Sequence, residues 1–222
     1  MYTPYTMTTR GRLSRERILE DALRIVDTEG LQGLTIRRLA QELDVTPMAV
    51  YRHFKNKSDI LDGLIELVIA EGGATEHDTE GWQAWIEVTF MRMRASLLQH
   101  PGVLPLMGSS ASYGLQSLRI IEKLLGALRG AVLDGDAVAR MLHVLVSYTL
   151  GAVAIEIAAR EQQQSLEGGT QLESQRKLRE RFEGADITEF PNLVALAPKL
   201  SRFVEEAEFE LGLRQIIHSF TP

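Results

Sequence analysis

The sequence predicts an all-α protein, with a three-helix module at the N-terminus and a larger helical domain behind it. Three observations carry that prediction. Apolar residues recur at spacings of three and four from about residue 14 to residue 220, and no convincing strand-type alternation interrupts them. Gly, Pro and polar clusters cut this pattern into pieces of helical length. The charge is also split: residues 1–57 hold ten Lys/Arg against seven Asp/Glu, or +3, and residues 58–222 hold fourteen against twenty-three, or −9. A basic module joined to an acidic one suits a phosphate-bearing partner at one end and a different task at the other.

Composition bounds the function. With 222 residues, 45% of them hydrophobic and 24% charged, the chain can bury a sizeable core. It has no cysteine, so disulfides, thiolate metal sites and a Cys nucleophile are excluded. The first residues, MYTPYTMTTRGRLSR, lack the apolar region of a signal peptide. No apolar run is read as approaching the roughly 20 residues that span a bilayer. The expectation is a cytoplasmic protein with no membrane partner.

Residues 1–13 show no periodicity and are read as a flexible arm. Arg10, Arg12, Arg15 and Arg17 lie at or just past its end, within reach of a phosphate or a minor groove, although a plain solvated tail is the simpler reading. Ser14 is a suitable N-cap for a helix whose Ile18, Ala22, Ile25 and Val26 form one stripe, and Glu29-Gly30 ends it. The organising stretch follows at residues 35–57, TIRRLAQELDVTPMAVYRHFKNK. Thr35 caps a second helix with Ile36, Leu39, Ala40 and Leu43 inward. Asp44-Val45 makes the turn, where a left-handed residue is required and Asp tolerates it better than most. Thr46 is expected to cap a third helix, with Pro47 at its first position, where a missing N–H costs nothing.

In that third helix Val50 and Phe54, four apart, face inward. Met48, Tyr51, Arg52 and Lys55 line the other side. A long apolar side chain, an aromatic ring and two cations suit base edges, a thymine methyl and phosphates together. The segment is therefore read as a DNA-binding helix-turn-helix. Ser58-Asp59 open a fourth helix, a connector with Ile60, Leu61, Leu64, Leu67 and Val68 in its stripe, closed by Gly72-Gly73. The domain boundary is placed there: 14–71 as the DNA-binding domain with its connector, 72–222 as the helical effector-binding and dimerisation domain.

Beyond the boundary, residues 82–99 carry Trp82, Trp85, Ile86, Thr89, Met93 and Leu97 on one side, and His100-Pro101-Gly102 breaks the helix. Further helices are expected over 113–128, from Asp134 or Asp136 to about 164, and over about 199–220. Residues 165–191 are polar and glycine-interrupted and read as a mobile loop, with at most a helical turn or two around 172–182. On the long helix Ser147, Gly151, Ala154 and Ala158 form a strip of small residues that admits a second helix closely. The last helix is apolar on two sides: Phe209, Leu213, Ile216, Ile217 and Phe220 on one, Val204, Ala207 and Leu211 on the other. Either both sides are covered within the chain, or one packs at home and the other on a partner in a two-fold four-helix interface, which is the expectation. Ser147, Gly151, Ala154, Ala158, Phe209, Leu213, Ile216 and Phe220 are the expected contacts of a homodimer.

The run over 14–67, with GLTIRRLAQELDV, TPMAVYRHFKNK and an acid-initiated fourth helix, closely resembles the DNA-binding domain of the tetracycline-repressor (TetR/AcrR) family of regulators. Asp44 stands where Gly is usual. The resemblance implies that Thr35 and Arg37 touch phosphate or bases. It implies recognition contacts at Thr46, Pro47, Met48, Ala49, Tyr51, Arg52 and His53, and a phosphate contact at Lys57. Trp82-Gln83, Leu97-Leu98, His100 and Tyr148-Thr149-Leu150-Gly151 resemble, less tightly, the ligand domain of tetracycline repressors. This implies a dimer around an effector pocket whose filling moves the fourth helix and spreads the recognition helices. Met107 and Gly73 stand where those repressors carry their magnesium- and drug-contacting histidines, so a tetracycline–magnesium effector is not expected.

Trp85, Phe90, Met93, Met107, Tyr113, His143 and Tyr148 are the candidate pocket residues, suited to a hydrophobic or aromatic small molecule; for any single one of them plain core is the simpler reading. Glu156, on an apolar stretch, is either solvated or a buried acid. His53, His77, His100, His143 and His218 have no metal-ligand spacing, and GxSxG, P-loop and GxGxxG patterns are absent. Neither a metal, a cofactor nor an enzymatic activity is expected. The reading is a ligand-responsive transcriptional regulator, a repressor released from a palindromic operator. The alternative is a helical small-molecule-binding protein or enzyme whose N-terminal helices are scaffold.

Overall fold

The computed structural model describes residues 13–73, 81–107, 114–130, 134–165, 171–201 and 206–220. Those residues form ten α-helices and one 3-10 segment, with no strand among them. The chain divides into two compact units: residues 1–71 with 100–118, and residues 72–99 with 119–222. Residues 72–222 were expected as one domain; 100–118 instead fold with the N-terminal helices.

In the first unit, α1 (Arg15–Gly33) starts where Ser14 accepts the Arg17 N–H at 3.2 Å and kinks at Gly30, whose φ is 73°. Thr35 caps α2 (Ile36–Glu42) by accepting the Arg38 N–H at 3.0 Å. Asp44, at φ 54°, takes the left-handed turn position, and α3 (Pro47–Tyr51) follows. Thr46 has the extended backbone of an N-cap, but its side chain makes no cap hydrogen bond, contrary to expectation. The connector α4 (Lys57–Glu71) begins one residue early, with Asn56 Oδ1 accepting the Asp59 N–H at 2.9 Å. Ile18, Ala22, Ile25, Leu39, Val50, Phe54, Ile60 and Leu64 close the core between these helices.

The returning segment, a 3-10 turn at Pro101–Leu106, packs on α1 and α4. A Cβ on Gly102 would lie 2.5 Å from Val26 Cγ1, so glycine permits that approach. His100, buried, places Nδ1 2.9 Å from Asp27 and Nε2 3.0 Å from Glu71. These contacts are why 100–118 belong with the first unit.

In the second unit, α5 (Trp82–Gln99) packs on α7 (Gly135–Ser165), and α10 (Glu206–Ser219) packs on both. The core holds Trp85, Ile86, Phe90, Leu124, Leu128 from α6 (Leu115–Gly130), Leu145, Phe209 and Leu213. The expected loop 165–191 is corrected: α8 (Gln171–Glu183) is a thirteen-residue helix, and α9 (Pro191–Leu200) packs against it. Arg176–Glu180 and Arg179–Glu183 pairs one turn apart, at 3.6 and 2.7 Å, support α8 where apolar periodicity is poor. Residues 166–170, 202–205 and the first twelve residues of the expected arm 1–13 lie outside the described residues, as does Val204 of the second stripe.

One exclusion is also corrected. The span Gly135–Glu161 of α7 is long and apolar enough to cross a membrane by length and composition, and one side of it, with Val138, Met141, Leu145 and Ala152, packs in the core of the second unit. A helix that must be covered on several sides reads as apolar all round.

Candidate nucleic-acid interface

The first unit presents one basic, aromatic surface. Val50 and, just past the end of the helix, Phe54 are 0% and 1% exposed, which holds α3 against α2 and the core of the unit and turns its other side outward. There Met48 is 67% and Tyr51 47% exposed, large apolar groups left in water on a five-residue helix. Thr35, Arg37, Thr46, Pro47 and Arg52 are exposed as well, and Ala49, His53 and Lys57 are half-buried. All ten sequence-predicted contacts thus belong to α2, α3 and the segments beside them.

The cations divide into two sets. Arg38 is spent on Glu29 and Glu42, at 2.8 and 2.7 Å, and these carboxylates hold its guanidinium above its ordinary range, Glu29 first. Arg24 pairs with Asp21. Arg15 pairs with Asp59 at 2.8 Å while staying partly open to solvent. Among the described residues, Arg37 and Arg52 have no carboxylate partner, and the Lys57 ammonium only reaches the Leu31 carbonyl at 3.5 Å. Cations fixed by carboxylates build the scaffold, and the unneutralised ones remain available for phosphate.

The second unit sorts the remaining candidates differently. Trp85 and Phe90 are core, 2% and 1% exposed, with Met93 packed beside them. Tyr148 stacks on Phe209, ring centroids 5.2 Å apart, and its hydroxyl donates to the Phe209 carbonyl at 3.1 Å; burial pushes the phenol up from its ordinary pKa. His143 stands exposed on α7, and Met107 belongs to the first unit. Tyr113 lies outside the described residues. Trp85, Phe90, Met93 and Tyr148 therefore belong to one cluster that His143 and Met107 do not share.

Ser147, Gly151, Ala154 and Ala158 are all exposed along α7, together with Val144 and Ile155. Phe209 and Leu213, expected at a subunit interface, are corrected: both are 0% exposed within the chain's own core. Ile216 and Phe220 pack beside them, half-buried. The stripe of α10 that stays outward is Ala207 and Leu211. Glu156 is a half-buried, paired acid rather than a solvated one, bridging Arg94 and Arg160 at 2.6 Å each. Arg94 sits four residues from Phe90 and three from Leu97, inside the apolar stripe of α5. That misplaced cation was the available signal for the pair.

Comparison with known proteins places this arrangement. Residues 18–64 match the model described as bacterial regulatory proteins, tetR family, and residues 74–219 match the tetracyclin repressor-like C-terminal domain. The chain belongs to the tetR family. It is a DNA-binding transcriptional regulator of all-α build, with the helix-turn-helix at its N-terminal end.

Similar proteins include the HTH-type transcriptional repressor DrrR1 of Streptomyces coeruleorubidus, 30% identical over 67% of this chain and 56% of that one. The tetracycline repressor protein class E of Escherichia coli is 32% identical over 68% of this chain and 72% of its own. Among solved structures, the Streptomyces coelicolor TetR family protein ActR in complex with actinorhodin superposes with TM-score 0.81 at 27% identity. That match covers 95% of this chain and 96% of ActR. The chain thus spans little more than half the length of DrrR1, while it covers nearly all of ActR.

Proposed function

We propose that this tetR-family protein is a homodimeric repressor that binds a pseudo-palindromic DNA operator and releases it when a small molecule binds the C-terminal helical domain. It works where the chromosome is, in the bacterial cytoplasm. The observation that carries the reading is the outward face of α3. Met48, Tyr51 and Arg52 stand in water beside Arg37 and Thr35 of α2, while Val50 and Phe54 lock the opposite side. In such a head Thr35, Arg37 and Lys57 serve as phosphate contacts. Thr46, Pro47, Met48, Ala49, Tyr51, Arg52 and His53 face the major groove, Met48 suiting a thymine methyl and Arg52 a guanine or a phosphate.

Two heads read two half-sites only if a dimer holds them about 34–36 Å apart. The exposed strip Val144, Ser147, Gly151, Ala154, Ile155 and Ala158 of α7, with Ala207 and Leu211 of α10, supports the second subunit as the missing cover. For the effector, the apolar, aromatic make-up of the second unit and the likeness to ActR, whose structure holds actinorhodin, support a hydrophobic or aromatic ligand.

The test is selection of bound fragments from genomic DNA, followed by a gel-shift titration on the selected site. Tyr51→Ala and Arg37→Ala each abolish specific binding at protein concentrations that saturate the parent, with unchanged circular dichroism. Unchanged affinity in both variants sinks the reading. Arg37→Ala also lowers the slope of log K against log salt by about one.

A further inference from the structure

The recognition helix cannot hold itself. It spans five residues, and its N-cap residue Thr46 makes no side-chain cap bond. So short a helix has no stability of its own, and its angle is set by whatever grips its ends. Val50 and Phe54 anchor one side of it by burial. Burial alone leaves a short helix free to pivot, because apolar contact is not directional.

A polar bracket stands at its exit. Arg15, on the first turn of α1, donates from Nη1 to the His53 carbonyl at 2.9 Å and from Nη2 to Asp59 Oδ1 at 2.8 Å. Its guanidinium carbon lies 4.0 Å from the centroid of the Phe54 ring. Asp59 Oδ2 accepts the Lys55 N–H at 3.0 Å, and the Asp59 N–H is donated to Asn56 at 2.9 Å. One planar cation therefore ties the start of α1 to the end of α3, the turn 53–56 and the start of α4. Only a guanidinium presents two donors and a flat face at once in this geometry.

We propose that Arg15 is a positioning residue for operator recognition: through His53, Phe54 and Asp59 it fixes the angle at which Tyr51, Arg52 and His53 are presented, and it makes no contact with DNA itself. This rests on the DNA-binding reading above. Its charge is already answered by Asp59, whose carboxyl the Arg15 hydrogen bond holds below the usual carboxylate range. A phosphate contact would instead leave that charge for the nucleic acid, as the sequence alone suggested for Arg15.

Salt dependence separates the two roles. Each phosphate contact contributes about one to the slope of log K against log salt. Specific and non-specific affinities of Arg15→Lys, Arg15→Gln and Asp59→Asn are measured across a salt series, on the genomically selected operator and on a scrambled duplex. Positioning requires all three variants to lose roughly tenfold or more in specific affinity, with parental salt slopes and parental non-specific affinity. Lysine does not rescue, because an ammonium cannot span both acceptors.

Recovery in Arg15→Lys, or a slope lowered by about one in Arg15→Gln, overturns the proposal and makes Arg15 a phosphate contact. Parental or tighter binding by Asp59→Asn, which frees the guanidinium, overturns it too. Equal loss on operator and scrambled duplex shows a fold effect alone and also overturns it. If the unaltered protein selects no DNA, the functional reading itself has failed, which is a different result from any of these.

Discussion

The turn between the two helices of the reading head rests on Asp44, at φ 54°. Side chains other than Gly, Asn and Asp are uncommon there, and a β-branched one is an outlier. Asp44→Gly is expected to keep operator affinity and to stay within about 1 kcal/mol of the parent in stability. Asp44→Val is expected to lose roughly 1–3 kcal/mol, read as a lowered melting temperature. Asp59 gives the corresponding pH dependence. Its folded-state pKa is depressed, so the stability it contributes is present above the ordinary carboxylate range and is lost as pH falls through the depressed value. Asp59→Asn therefore flattens the acid limb of a thermal-melting profile and leaves its shape at neutral pH unchanged. Legibility at this scale follows range. Ser14, Thr35 and Asp44 were readable because caps and turns obey rules three or four residues long. Arg15 was not, since its partners lie 38 and 44 residues away and no local pattern announces them.

At the scale of elements, the helices with a clean apolar stripe were legible and the ion-paired ones were not. Trp82–Gln99 and the long helix declared themselves through spacing, whereas α8 read as a loop because its apolar positions are few; packing against α9 holds it, with Arg–Glu pairs adding a little. Which side of α10 faces home was also hidden, since periodicity shows two stripes and only packing chooses between them. Packing chose the Phe209–Leu213 side, and Gly212 explains part of how: a Cβ there would lie 2.1 Å from the Tyr148 hydroxyl. Gly212→Ala is expected to cost about 1–3 kcal/mol by forcing the stacked Tyr148 aside. In Tyr148→Phe, which removes the closest atom, the same change costs less, and a double-mutant cycle on thermal or urea melts measures the difference. The α5–α7 contact makes a second case. Arg94→Met leaves Glu156 half-answered by Arg160 and is expected to cost about 3 kcal/mol, while Arg94→Met with Glu156→Leu recovers most of it. Urea denaturation of the single and double variants checks this.

For the whole molecule, the unsatisfied quantity is apolar surface. The most apolar window of α7 has a mean hydropathy of 1.7, yet only 28% of it is buried by its own chain. Ile155 and Leu211 are 59% and 58% exposed, and a Cβ on Gly151 would meet nothing within 4 Å. Surface of this kind, continuous along a helix, is the mark of an interface and not of a solvated face. The small-residue strip expected from the sequence stands exposed on α7, whereas Phe209 and Leu213, expected against the partner, are taken by the chain's own core. In the proposed dimer the strip is where a second copy of the chain docks, and Ile155→Arg tests it because the side chain already stands in water. Its substitution leaves the folded protomer intact, with unchanged circular dichroism, and places a cation where two apolar helices must meet. Sedimentation is expected to show dimer becoming monomer. Operator affinity is expected to fall by roughly 10²–10⁴, because two linked half-site contacts become one. The salt slope is expected to fall toward half, because only one head's phosphate contacts remain. A variant that stays dimeric places the interface elsewhere on the second unit. One that becomes monomeric yet binds the operator undiminished shows that a single head suffices, and removes the geometric basis for release by spreading two recognition helices apart.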